Sequence, residues 1–238
     1  MNYLFEELEK RLIKPERKHN AISVTGGGGK TSLLTEFGRY LRDRGYSVIL
    51  TTTTRIAGPA RHDYRADYIF HDRDILEYKA EKGRSVLYAE PGSDPGKWSS
   101  PAPDVLSELY TVFDVMLIEA DGSRGLPLKI HTERDPVILP FTDSVVGIMG
   151  LWGIGCKAND AVFGDGRDVI VDDMYIDSYL RSEDGLTKGM SSATYNAVIL
   201  NGMDINPSMY SGFIRRMGSY PLFDIFAASI RRGKIYNV

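Results

Sequence analysis

The chain has 238 residues and one cysteine, Cys156, so it contains no internal disulfide framework and fits a reducing compartment. It has no apolar run of membrane-spanning length. Its first residues, Met1-Asn2-Tyr3-Leu4-Phe5-Glu6-Glu7, lack the basic start and long apolar stretch of a signal peptide, so a cytoplasmic location is expected. It has no strong charge of either sign: the formal net charge is −3, which points to neither nucleic acid nor a membrane as partner. The four histidines, His19, His62, His71 and His131, show no metal-ligand spacing, and there is no Ser-His-Asp or H-E-x-x-H pattern. Metal chemistry other than Mg²⁺ carried on a nucleotide is therefore not expected. Internal repeats and low-complexity tracts are also missing.

The chain does have a hydrophobic content of 42%, enough for a substantial core, and strands alternate with helices along it. Residues 2–14 read as an amphipathic helix with Leu4, Phe5, Leu8 and Leu12 on one face, packed on the edge of a sheet. Ala21–Val24 reads as a buried strand. A helix should follow from the Gly-rich turn to about Arg44, with Gly45 just past its end. Ser47–Thr54 is rich in β-branched residues and reads as the next strand. Short apolar runs recur at Asp67–Phe70 and Ser85–Tyr88. Glu90–Pro103 holds four of the eleven prolines and reads as a loop. Asp104–Phe113 reads as a helix and Asp114–Ile118 as a fully buried strand. Ser144–Met149 and Asn196–Leu200 are later strands. Residues 152–188 are rich in Gly and Asp and read as a less regular elaboration. The basic tail, with Arg215, Arg216, Arg231, Arg232 and Lys234, reads as a solvated face. The expectation is one α/β domain over 1–238, a three-layer P-loop NTPase-like fold with a mostly parallel central sheet flanked by helices.

The stretch Gly26-Gly27-Gly28-Gly29-Lys30-Thr31-Ser32 sits where the first strand turns into a helix, the context a phosphate-binding loop requires. Glycines leave backbone N–H groups open to phosphate oxygens, and the helix adds its own N-terminal N–H groups and dipole. Lys30 would reach the β- and γ-phosphates, and Thr31 would ligate Mg²⁺. The first Gly of the full G-x-x-x-x-G-K-[ST] pattern falls on Val24, and a plain Gly-rich connector is the alternative.

Ligands of parallel sheets bind at the carboxyl ends of strands, where Thr51–Arg55 and Glu119–Asp121 also fall. Glu119 or Asp121, after a run of large apolar residues, is the expected carboxylate that supports the metal or a water. Thr54 and Arg55 are candidates for the phosphate end. Arg124 reads either as a group reaching the γ-phosphate or as a surface charge, and Lys129 as a weaker anion-binding candidate. Asn201-Gly202-Met203-Asp204 follows an apolar run and is similar to the N-K-x-D loop that reads guanine, with Gly202 at the Lys position. ATP and GTP both stay open as the nucleotide.

These blocks together, Gly-Gly-Gly-Gly-Lys-Thr, Thr-Thr-Thr-Thr-Arg, Glu-Ala-Asp-Gly-Ser-Arg-Gly-Leu-Pro-Leu-Lys and the later Asp135-Pro136-Val137-Ile138, resemble the YqeC family over most of residues 20–205. The family is described as an accessory of selenium-dependent hydroxylases, or a selenium cofactor biosynthesis protein. The resemblance implies a P-loop NTPase fold. It also implies a partner or intermediate in the maturation of molybdenum hydroxylases. The loop is also similar to the ATP loop of Mur-type ligases. Metallochaperone and ParA-type proteins share Gly-Gly-x-Gly-Lys-Thr but place a second Lys where this chain has Thr25. The expected activity is that of a Mg²⁺-dependent NTPase or phosphotransferase; a nucleotide-gated chaperone or an ATP-dependent ligase are the alternatives.

Overall fold

Seven consecutive buried residues, Asn20–Gly26, form the first strand (β1), which lies in the middle of the main sheet. Residues buried on both faces read as continuous apolar runs, as central parallel strands do. The structure, a computed structural model, describes residues 3–94 and 96–237. Helix α1 (Tyr3–Leu12) precedes β1, and α2 (Lys30–Asp43) follows it. Next come β2 (Val48–Thr52), β3 (Arg55–Ala57), β4 (Tyr68–Phe70), β5 (Ser85–Tyr88), β6 (Glu90–Pro91) and β7 (Lys97–Ser99). Helix α3 (Pro103–Tyr110) leads to β8 (Val115–Glu119), β9 (Leu128–Lys129) and β10 (Ser144–Gly150). The remaining elements are α4 (Ala158–Ala161), β11 (Val162–Phe163), α5 (Asp173–Arg181), β12 (Tyr195–Asn201), α6 (Pro207–Arg216), β13 (Asp224–Ser229) and β14 (Lys234–Ile235).

The nine-stranded sheet runs β14-β13-β12-β10-β1-β8-β2-β5-β4. Every pairing is parallel except that of β14 with β13 at one edge. The alternation of side chains along each strand divides the core between two faces. In β12, Ala197 and Ile199 join the cluster that holds Leu8 of α1 and Phe37 of α2. Val198 and Leu200 join the opposite cluster, with Tyr179 of α5 and Phe213 of α6. Ala21 of β1 and Leu106 of α3 lie in a third cluster on that second side. Helices on both faces of a mostly parallel sheet make the expected three-layer α/β architecture.

The first helix forms where the apolar spacing places it, with Leu4, Phe5, Leu8 and Leu12 buried against α2 and the β13–β14 edge; position 2 of the expected 2–14 span lies outside the described residues. Strand β2 is shorter than the expected Ser47–Thr54. Thr52 turns the chain: its Oγ1 donates to the Glu119 carbonyl (2.8 Å) and accepts from the Thr54 N–H (3.0 Å). That local side-chain bond competes with the strand ladder and ends it. Arg55 then opens β3, which belongs to a separate antiparallel sheet of order β3-β7-β6. The segment expected as a loop over Glu90–Pro103, of which Pro95 lies outside the described residues, thus contains two strands and the start of α3. Residues 152–188 hold a 3₁₀ turn, α4, β11 and α5, and β11 pairs in parallel with β9. No helix among the described residues is long and apolar enough to cross a membrane.

Candidate functional site

The turn from β1 into α2 demands glycine. Gly28 has φ +70°, and a Cβ there would lie 2.5 Å from the Gly150 nitrogen. Gly29 has φ +146°, and its Cβ would lie 2.6 Å from the Asn201 amide nitrogen. Positive φ and this close approach of β10 and β12 leave no room for a side chain. The amides of the turn divide in an unexpected way. The Gly26 N–H donates to Asp121 Oδ2 (2.7 Å), Gly27 to the Ile148 carbonyl (2.9 Å) and Gly28 to the Leu126 carbonyl (3.0 Å). Three of the four expected phosphate donors are therefore spent on the protein itself. Within α2, the amides open to a ligand are those of its first turn, Gly29 to Ser32, which a helix leaves without intrahelical partners. Gly28 and Gly29 line the cavity above the loop; Gly26 and Gly27 lie beneath it.

Lys30 is 4% exposed. Its ammonium bonds the Gly26 carbonyl, lies 3.2 Å from Ser123 Oγ, and pairs with Asp121 Oδ1 at 3.0 Å. Asp121 is fully buried and does not line the cavity, although the sequence offered it as an alternative to Glu119 for the metal. It lies past the end of β8, where the chain curls under the loop, and there it also receives His131 Nε2 at 2.6 Å. The other ring nitrogen, Nδ1, lies 2.8 Å from the Gly185 carbonyl. Both ring nitrogens thus face acceptors. Burial alone would push the Asp121 carboxyl up. Lys30 and His131 outweigh it and hold the carboxyl at about 2.

Glu119 takes the other position. As the last residue of β8 it stands level with Val24 of β1 and Thr52 of β2, and it lines the cavity. Thr31 Oγ1 donates to its Oε2 at 3.0 Å. Burial pushes the Glu119 carboxyl above the ordinary range, against the pull of Lys30 and the Thr31 hydroxyl. A hydroxyl and a carboxylate side by side at the loop are the hard oxygen donors that suit Mg²⁺, which commonly takes one or two carboxylates plus substrate phosphates. No cluster of three or more His, Cys, Asp or Glu able to hold a metal occurs among the described residues.

The cavity measures about 640 Å³. Arg124 lines it, with its guanidinium 5.1 Å from the Phe163 ring of the elaboration. Arg55 lines it from β3. Thr54 does not; its hydroxyl is buried and has no hydrogen-bond partner. Lys129 is removed from the anion-binding candidates: it is fully buried, donates to the Gly122 carbonyl (2.7 Å) and pairs with Asp135. Asn201 braces the loop. Its Nδ2 donates to the Gly28 carbonyl (2.8 Å) and its Oδ1 accepts from the Ile230 N–H (3.0 Å), so both ends of the amide are used. Asp204 lines the cavity and pairs with Arg232 at 3.1 Å. Gly202, at the Lys position of the N-K-x-D pattern, has φ +99°, and a Cβ there would lie 2.9 Å from the Trp152 ring. An indole therefore covers the place where the pattern puts a lysine stem. Sequence reasoning missed Ser123, His131, Lys97, Trp152 and Arg231. Their only signal is tertiary, since no motif spaces them from the loop.

A glycine-rich strand–helix turn with Lys and Thr, set against an acidic strand end in a parallel sheet, defines a P-loop-like α/β protein. The model of the YqeC family, described as "YqeC protein", matches residues 22–164, and the chain belongs to that family. The chain is also 34% identical over 148 residues to the protein described as "Uncharacterized protein YqeC" of Escherichia coli (strain K12). That match covers 60% of this chain and 57% of the relative, so the chain spans a little over half the length of the relative it matches.

Proposed function

We propose that this chain binds a nucleoside triphosphate with Mg²⁺ at the β1–α2 turn and acts on its terminal phosphate as an NTPase or phosphotransferase. The observation that carries this reading is the disposition of two adjacent side chains of α2. Lys30 is held in place by Gly26, Ser123 and Asp121, and Thr31 is hydrogen-bonded to Glu119 at the cavity wall. The first-turn amides and Lys30 would take the phosphates. Thr31 and Glu119 would hold Mg²⁺, which neutralises charge on the β- and γ-oxygens. Arg124, which lines the cavity, would reach the terminal phosphate. Asp121 serves by fixing Lys30 rather than by touching the metal. Trp152 offers a ring for the base, with Asp204 beside it, and both ATP and GTP are consistent with that wall. On this reading the turnover serves the maturation of a selenium- or molybdenum-dependent hydroxylase, a role supported by the family resemblance alone.

The test is phosphate release from ATP and from GTP with and without Mg²⁺, comparing the native chain with Glu119→Gln. The reading expects Mg²⁺-dependent release, reduced by about two orders of magnitude in the variant, with nucleotide still bound. Release that is equal in the variant or indifferent to Mg²⁺ would remove Glu119 from the chemistry.

A further inference from the structure

The small antiparallel sheet adds to the cavity a wall that the nucleotide reading leaves unused. Arg55 and Ala57 are two residues apart on β3 and so share a face. In β7, Lys97 stands directly opposite Ala57, and directly opposed residues of an antiparallel pair lie on the same face. Arg55, Ala57 and Lys97 all line the cavity. The other face is anchored: Ile56 is buried in the core cluster shared with α2, and its cross-strand partner Trp98 packs against the same cluster. Two cations therefore flank the smallest side chain of a platform whose back is fixed to the core. Neither Arg55 nor Lys97 forms an ion pair with a carboxylate among the described residues. Other surface arginines do pair: Arg61 with Asp94, Arg65 with Glu36 and Arg232 with Asp204. The platform and Glu119 line the same cavity.

We propose that the β3–β7 platform is a second anion subsite, which seats a small co-substrate carrying a phosphate or carboxylate group next to the terminal phosphate of the nucleotide. This rests on the reading of the P-loop as a nucleotide site. Two unpaired cations beside a residue without a side chain beyond Cβ leave space and charge for one oxyanion, and Arg55 can grip it through a two-pronged contact. A hydrolase needs only water at that place.

The test loads the protein with Mg²⁺ and a non-hydrolysable ATP analogue and titrates inorganic phosphate, and separately acetate, by calorimetry. The double variant Arg55→Ala/Lys97→Ala serves as comparison. Both residues are unpaired and at least partly exposed, so the variant should fold, and its thermal unfolding checks this. Saturable binding of one anion is expected, weakened at least about tenfold in the variant while the analogue's affinity changes less than about threefold; which anion binds identifies the group. Three results overturn the proposal: no saturable binding of either anion, binding that the variant leaves unchanged, or loss of analogue affinity of about tenfold in the variant, since the cations would then serve the nucleotide itself. If the native chain takes no analogue, the nucleotide reading falls. Phosphate is then titrated into the nucleotide-free protein, and binding that the variant does not weaken overturns the subsite as well.

Discussion

The charges beneath the loop and the charges around the cavity are arranged in opposite ways. Beneath it, Lys30, Asp121, His131, Lys129 and Asp135 are buried or nearly so: Lys30 pairs with Asp121, Lys129 with Asp135, and His131 Nε2 lies against Asp121. Around it, Arg55, Lys97, Arg124 and Arg231 reach the cavity, and none pairs with a carboxylate among the described residues. Buried charges are tolerated only when paired, so the lower set holds the structure, and within it only Lys30 also lines the cavity. The upper set is solvated and costs little to keep unpaired, so it is available to a ligand. The lesson is that the charges most visible as a motif are not all of one kind. Glu119 and Asp121 are two residues apart and both buried, yet Glu119 lines the cavity while Asp121 lies beneath the loop.

Four predictions test that division. The largest effect is expected from Asp121→Ala, which strands Lys30 and His131 in the interior. Removing one partner of a buried pair costs about 3–5 kcal/mol, measurable by urea unfolding. A cost below about 1 kcal/mol would break the distinction between the two sets. Gly28→Ala comes next: at φ +70° and with Gly150 in the way, strain of about 1–3 kcal/mol is expected, with thermal unfolding lowered and nucleotide binding lost. Arg124→Ala belongs to the upper set. Its stability should stay within about 0.5 kcal/mol of the native chain, while nucleotide affinity drops about tenfold.

The smallest effect lies at the opposite end of the sheet. Burial raises the Asp114 carboxyl, but Lys82 and the Ser47 N–H and hydroxyl outweigh it, so the folded pKa is depressed. A depressed carboxyl stabilises above its unfolded value and loses that contribution as pH falls through the folded one. Asp114→Asn should therefore flatten the acid limb of the stability curve below about pH 4, by less than about 1 kcal/mol because the group is partly solvated. Nucleotide affinity should be unchanged, and a change would mean that the two ends of the sheet are coupled.

The core of the fold was legible because it rests on periodicity and composition. The buried runs of β1, β8, β10 and β12, the helical spacing after the glycines and the stripe of α1 all signal locally. The loop and Glu119 were legible for the same reason. What was hidden depends on tertiary contact. Asp121 and Glu119 follow the same apolar run, and only the curl of the chain under the loop separates their roles. His131 is a lone histidine in sequence and becomes a partner of Asp121 through folding. The strands β3, β6 and β7 are two or three residues each, in a segment interrupted by proline and glycine, too short for a period to show. Thr52–Thr54 favours a strand by residue type, and a side-chain bond to the backbone overrides that preference.

The central claim is that the cavity above Lys30 and Thr31 takes a nucleoside triphosphate with Mg²⁺. The most direct measurement is calorimetric titration of ATP and of GTP, with and without Mg²⁺, into the native chain and into Thr31→Ala, which leaves the Lys30–Asp121 pair intact. The account predicts saturable binding of at least one nucleotide, strengthened by Mg²⁺, with that strengthening lost in the variant. Absence of binding by the folded native chain, or binding with the same Mg²⁺ dependence in both proteins, would contradict it.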